Sequence, residues 1–249
     1  MKGFSVLIVG RGSGLGALLA RMAADDGAAK VGIIDINPGA AEAALEPARA
    51  KGLPTAFAQC DIQAGPQCHA AFDAIASKLG CIDTLVNCAA IYPRRPVLEI
   101  TDADWDAFNG INVKGTYHMM VAAIRHMQPQ PPRVGVRGRV VNLTSVDAFK
   151  AHPQNAHYAA TKAAVVSLTR SVAQHVAGDG ILVNSVAPAG MATERARDLG
   201  FLDELAKASP LGRGAKPAEI AEWVLMAGGP RNTYMTGENI IVSGGYIYA

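Results

Sequence analysis

The chain has 249 residues, 50% of them hydrophobic and 18% charged, which is ample for a large core and unlike a disordered composition. Its 23 basic and 21 acidic residues leave a net charge of +2 with no long like-charge run, so electrostatics offers no case for nucleic acid or an anionic membrane as partner. The four cysteines (Cys60, Cys68, Cys81, Cys88) lack C-x-x-C spacing and have too few histidines nearby for a metal site, which reads as reduced thiols in or near a core, and no stretch approaches the ~20 apolar residues of a membrane span.

Residues 4–9, Phe-Ser-Val-Leu-Ile-Val, form a β-branched apolar run typical of a strand buried on both faces. After Lys2 the run imitates a signal peptide, but Arg11 and the glycines cut it at about six residues, so a soluble cytoplasmic protein is expected. The run leads into Gly10-Arg11-Gly12-Ser13-Gly14-Leu15-Gly16 and then the helix-forming 17–24. Strand, glycine turn and helix are the context of a phosphate-binding loop, in which the backbone approaches a pyrophosphate and the helix N-terminus presents free N–H groups; a purely structural glycine turn is the alternative. A second strand at 30–35 ends in Asp35, nineteen positions after Gly16. An acid there hydrogen-bonds the adenosine ribose and repels a 2′-phosphate, which argues for NAD over NADP, although the Arg11 cation is dissonant.

A third unit follows, with a helix at 40–51 and a strand at 55–59 closed by Cys60-Asp61-Ile62. Asp61 can accept from an adenine amino group or cap the next helix. That helix (66–79) leads to a fourth strand (82–86) ending in Asn87-Cys88-Ala89-Ala90, whose small residues allow a cofactor close to the backbone. Thr101-Asp102-Ala103-Asp104 has the form of a helix start, and the long helix after it carries Asn112, a polar residue among apolar neighbours whose amide must find partners. With three prolines, residues 128–137 must be an exposed loop.

The fifth strand, 139–145, ends in Ser145, at the sheet edge where open α/β sheets bind ligands. Thirteen residues later comes Tyr158-Ala159-Ala160-Thr161-Lys162 on a helix running to about residue 177. Residues i and i+4 share a helix face, so the lysine cation can favour phenolate in a phenol whose ordinary pKa is ~10, yielding a general acid/base near neutral pH. A sixth strand (181–186) gives way to Pro188-Ala189-Gly190-Met191-Ala192-Thr193, and the helix-prone 194–209 has the character of a substrate lid. A final helix (216–227) and a seventh strand (239–242) complete the chain. The rhythm predicts a single-domain Rossmann fold: a doubly wound, seven-stranded parallel sheet with helices on both faces.

From about Phe4 to its end the chain resembles the short-chain dehydrogenase/reductase family. The resemblance rests on Gly10-x-x-x-Gly14-x-Gly16, Asn87-Cys88-Ala89-Ala90, the four positions Asn112, Ser145, Tyr158 and Lys162, the pair Pro188 and Thr193, and Gly237 with Gly244-Gly245. Val9, Cys88, Ala90, Ala189 and Ser243 depart from the family pattern, and 128–137 resembles an insertion. The resemblance implies an NAD(H)-dependent oxidoreductase interconverting a secondary alcohol and a ketone. Tyr158 would be its acid/base, Ser145 the hydrogen-bond donor to the substrate oxygen, Lys162 the partner of the nicotinamide ribose, and Asn112 the residue ordering a water that connects Lys162 to solvent.

It also implies a cofactor site of Gly10, Arg11, Ser13, Gly14, Leu15, Gly16, Asp35, Ile36, Asp61, Ile62, Asn87, Ala89, Tyr158, Lys162, Pro188, Met191 and Thr193, with no metal. Substrate candidates are Ser145, Asp147, His152, Asn155 and Met191, joined by Tyr92, Arg94 and Arg95. They point to a small hydroxylated or anionic molecule. A homotetramer is the usual family assembly, and the alternatives are a non-catalytic NAD-binding regulator or an epimerase or dehydratase on the same fold. Parallel assays with NAD and NADP test the Asp35 reading: NAD should be preferred, and a preference for NADP refutes it.

Overall fold

Strand β1 (Ser5–Val9) is buried at every position, as a strand covered on both faces must be. It pairs in parallel with β2 (Lys30–Asp35) on one side, and β3 (Thr55–Gln59) extends that side. On its other flank lies β4 (Thr84–Asn87), followed by β5 (Gly138–Leu143), β6 (Ile181–Pro188) and β7 (Asn239–Val242). The order β3-β2-β1-β4-β5-β6-β7 is the all-parallel, seven-stranded sheet predicted from the sequence. The computed structural model describes residues 1–10, 14–198 and 200–248.

The helices are α1 (Leu15–Asp25), α2 (Pro38–Arg49), α3 (Gly65–Leu79), α4 (Asp102–Phe108), α5 (Thr116–Met127), α6 (Ala156–Val176), α7 (Glu194–Asp198), α8 (Leu202–Ala208) and α9 (Pro217–Gly228). One face of the sheet buries Leu19, Leu45, Ile220 and Val224 from α1, α2 and α9. The other buries Phe72, Ile75, Met119 and Val176 from α3, α5 and α6. Local chemistry sets several helix starts. Pro38 occupies the first turn of α2 while Asn37 Oδ1 accepts from Ala40 N at 3.0 Å. Thr101 and Asp104 form the reciprocal capping box expected for α4, at 3.2 and 2.9 Å. Cys60, Cys68 and Cys88 are buried and Cys81 half-buried, with no disulfide joining them. Among the described residues no helix is long and apolar enough to cross a membrane.

Two segments differ from expectation. The helix carrying Asn112 is not continuous: a π-helical turn, Asn109–Gly115, separates α4 from α5. Such turns insert a residue and re-aim side chains, often at functional sites. The segment 128–137 is a loop but an anchored one, with Gln130 and Val136 buried. Its Arg133 donates to Asp83 Oδ2 at 2.7 Å and to Gly3 O at 2.8 Å. Asp83, 2% exposed, also accepts from Ser5 N at 2.8 Å and faces the buried Arg139, whose pKa is drawn down to about 10 chiefly by burial and held up by Asp83. Removing this carboxylate strands a strand N–H and a buried cation together. Asp83→Ala should therefore cost about 3 kcal/mol of unfolding free energy, read as a lower urea midpoint; an unchanged midpoint would show that the loop is not anchored through this group.

Candidate active site

The sheet order reverses between β1 and β4, and the crevice between their carboxyl ends is where ligands enter open α/β sheets. Gly10, which follows β1, has φ +80°, and its N–H donates to Ile34 O at 2.7 Å. A Cβ at this position would lie 2.4 Å from Ala89 Cα, so only glycine lets the turn pass the segment after β4. Gly14, at φ +77°, is the N-cap of α1 and no side chain caps that end, which leaves backbone N–H groups for an anion. Leu15 and Gly16 open the helix and are buried, whereas Arg11 and Ser13 lie outside the described residues.

The other cofactor candidates ring the same edge. Asp35 closes β2, 8% exposed, and its Oδ1 accepts from Asn37 N at 2.8 Å; Ile36 beside it is exposed. Asp61 Oδ1 accepts from Gln63 N at 3.0 Å and the N-cap of α3 is Ala64, so Asp61 shapes a turn and does not cap the helix. Ile62 next to it is buried. Asn87 Nδ2 donates to Asn142 Oδ1 at 2.9 Å, while its own buried Oδ1 has no hydrogen-bond partner. A glycine turn too tight for a side chain, an uncapped helix end and an acid closing the second strand together fit an adenine dinucleotide.

At the end of β5, Ser145 is 7% exposed and its Oγ accepts from Asp147 N at 3.1 Å. Lys162, 3% exposed, donates from Nζ to Leu143 O at 2.7 Å and lies 5.6 Å from the Tyr158 ring centroid. Asn112 is fully buried: its Oδ1 accepts from Ile91 N at 2.9 Å, and its Nδ2 donates to Ile91 O at 2.9 Å and to Thr161 Oγ1 at 3.1 Å. The amide demanded by an apolar setting thus finds its partners in the loop after β4 and on α6.

Ser145 and Tyr158 open on one cavity of about 740 Å³, whose walls also include Asp147, His152, Asn155, Pro188, Met191 and Thr193. Tyr92 and Arg94 join them, with the Tyr92 ring edge-on to Tyr158 at 6.2 Å between centroids. Arg95 does not; it pairs with Asp104 at 2.9 Å. Asn112 and Lys162 stand behind the wall rather than in it. His157 adjoins Tyr158 in sequence but is 1% exposed and packs on Phe108 at 3.9 Å between centroids. Burial lowers its pKa, so it stays neutral and turned away from the cavity. The expected lid at 194–209 does reach the cavity, through Phe201 and Leu205, but sequence reasoning named no single residue there and missed the walls contributed by α9 and the C-terminal segment, including Trp223 and Tyr246. No local motif marks these residues, because topology alone carries them to the cavity.

Residues 9–247 match the family model described as Enoyl-(Acyl carrier protein) reductase. The chain is 33% identical over 248 positions to short-chain reductase protein NovJ of Streptomyces niveus, covering 96% of this chain and 92% of that protein. It is likewise 33% identical, over 250 positions, to D-threitol dehydrogenase of Mycolicibacterium smegmatis, covering 99% and 94%. A solved gluconate 5-dehydrogenase from Burkholderia cenocepacia J2315, in complex with NADP and tartrate, is 34% identical and superposes with a TM-score of 0.89 over 99% of this chain and 96% of that one.

The tight turn yields a direct test. Gly10→Ala drives a Cβ into the backbone at Ala89, and it should weaken dinucleotide binding at least about tenfold, or 1.4 kcal/mol, in a fluorescence titration. Unchanged affinity would mean that this turn does not hold the ligand.

Proposed function

The chain belongs to the short-chain dehydrogenase/reductase family, and on that premise we propose that it interconverts a secondary alcohol and a ketone with NAD(H), using Tyr158 as acid/base. The observation that carries this reading is the convergence of Ser145 and Tyr158 on one cavity wall with Lys162 buried directly behind the tyrosine. Support for the dinucleotide comes from the glycine turn, the uncapped start of α1 and Asp35. Gly10, Gly14, Leu15, Gly16, Asp35, Ile36, Asp61, Ile62, Asn87 and Ala89 would hold its adenosine and pyrophosphate side, with Tyr158, Lys162, Pro188, Met191 and Thr193 at the nicotinamide side. The preference for NAD rests on Asp35, whose charge opposes a 2′-phosphate, while a relative 34% identical was solved with NADP.

When bound, the cofactor supplies the hydride acceptor or donor. In the oxidative direction Tyr158 takes the hydroxyl proton as the carbonyl forms. Ser145 steadies the substrate oxygen by a hydrogen bond that strengthens as charge develops there. Lys162, fixed to Leu143 O, sets a cation 5.6 Å from the phenol ring and so favours phenolate. Asn112 has its side-chain amide bonded to Ile91 and Thr161, which braces α6 against the loop after β4, and its main-chain oxygen accepts from Thr116 Oγ1 at 2.9 Å; ordering a water that connects Lys162 to solvent is the role the resemblance gives it. The 194–209 segment, comprising α7 and α8, forms the lid, with Phe201 and Leu205 on the cavity wall. Exposed Trp105 and Tyr117 on α4 and α5 suit the homotetramer that the family resemblance implies.

Tyr158→Phe decides the matter. The variant should keep NADH binding yet lose about 10²–10⁴-fold in kcat for alcohol oxidation, the usual contribution of a positioned acid/base. Undiminished oxidation by a variant that still binds NADH removes the tyrosine from the chemistry.

A further inference from the structure

The cavity has its cations already matched. Among the described residues its walls carry three Lys or Arg side chains, and each lies against a carboxylate of the same wall. Arg213 makes a two-pronged pair with Glu219, at 2.7 Å in both bonds. That bond, helped by Lys216 N at 2.7 Å, holds the Glu219 carboxyl down to about 2, so it stays ionised. Arg94 Nη2 lies 3.3 Å from Glu204 Oε1, with its guanidinium 4.7 Å above the Phe201 ring. Lys150 lies 3.5 Å from Asp147, which His152 also approaches at 4.0 Å. Glu222 adds a further carboxylate to the wall.

A ligand carboxylate or phosphate that approaches these cations finds Asp147, Glu204 or Glu219 already beside each of them. Like charges brought together oppose its binding. A hydroxyl meets no such opposition. Asn155, 4% exposed on the same wall, has a buried Oδ1 with no hydrogen-bond partner, and a turn of this amide toward the cavity would give it the donor that a hydroxyl brings and a carboxylate does not.

We propose that this cavity selects an uncharged polyhydroxylated alcohol and its hydroxyketone product, and discriminates against analogues carrying a carboxylate or phosphate. The inference deepens the hydride-transfer reading and rests on it. Glu204 is a specificity-determining residue here, because it occupies Arg94, the arginine that could otherwise receive an anion.

The test pairs polyols with the aldonates of matching chain length, assayed with NAD and with NADP. Selectivity is read twice: as the kcat/KM ratio, and as the rise in melting temperature that each ligand gives the enzyme–NADH mixture. The polyols should be favoured at least about tenfold by the wild type. Glu204→Gln frees Arg94 and should move the ratio toward the aldonates at least about tenfold, and adding Arg94→Met should reverse that move. An enzyme inert toward every pair and toward acetoacetyl-coenzyme A sinks the hydride-transfer reading, while the melting arm still decides the ligand class. A wild-type preference for aldonates, a Glu204→Gln ratio equal to that of the wild type, or faster reduction of acetoacetyl-coenzyme A than of any neutral hydroxyketone would each overturn the proposal.

Discussion

A buried ammonium is the constraint on which the site depends. Lys162 is 3% exposed, and a cation at such depth must be partnered, as it is by Leu143 O at 2.7 Å. Leu143 is the last residue of β5 and Ser145 follows two positions later, so the bond fastens α6 to the strand end that carries the serine. One helical turn before the lysine stands Tyr158. This hydrogen bond and the pitch of a helix therefore tie together the positions of the phenol, the hydroxyl and the cation.

The edge proposed for the dinucleotide is tied to this arrangement through the sheet. Asn87, at the end of β4, donates to Asn142 on β5 at 2.9 Å, and Asn142 donates in turn to Thr169 on α6 at 2.9 Å. Thr169 completes the chain to Val165 O at 2.8 Å. Buried polar chains of this kind lock relative positions where apolar packing would tolerate small slips. The crevice that Gly10 and Ala89 form between β1 and β4 is thus held in register with the helix bearing Tyr158.

What could be read in the sequence was what depends on local geometry. The seven apolar runs, the glycine turn, the Thr101–Asp104 cap and the i,i+4 pair each need only a few neighbouring residues to make their physical point. What could not be read was contact between distant segments. Leu143 and Ile91 serve through backbone groups, which leave no mark on residue identity. Arg94 meets Glu204 across 110 positions, so two charges that look solvated in the sequence become a matched pair on a cavity wall. The helix through Asn112 was misread as regular because its composition suits an α-helix, and nothing in Asn-Gly-Ile-Asn-Val-Lys-Gly announces the extra residue of a π turn. The 194–209 segment has helical composition, but residue 200 is a glycine at φ +70°, and two short helices result.

Helix α6 carries two neighbouring stripes with separate duties. His157 and Thr161, four apart, face the α4 side: the imidazole packs on Phe108, and the threonine hydroxyl accepts from Asn112 Nδ2. Tyr158 and Lys162, also four apart and one residue on, face the cavity and the end of β5. Consecutive helix residues point about 100° apart, so anchoring the first stripe fixes the rotation that presents the second. Burial keeps His157 neutral, which lets it serve as a packing surface where an imidazolium could not. The π turn is what brings Asn112 to the first stripe, so the irregularity in one helix sets the rotation of the next. On this account the side chains adjoining the proposed acid/base in sequence are not spare catalysts. They are the bearing against which the helix is turned, and the chemistry is left to the stripe that faces the cavity.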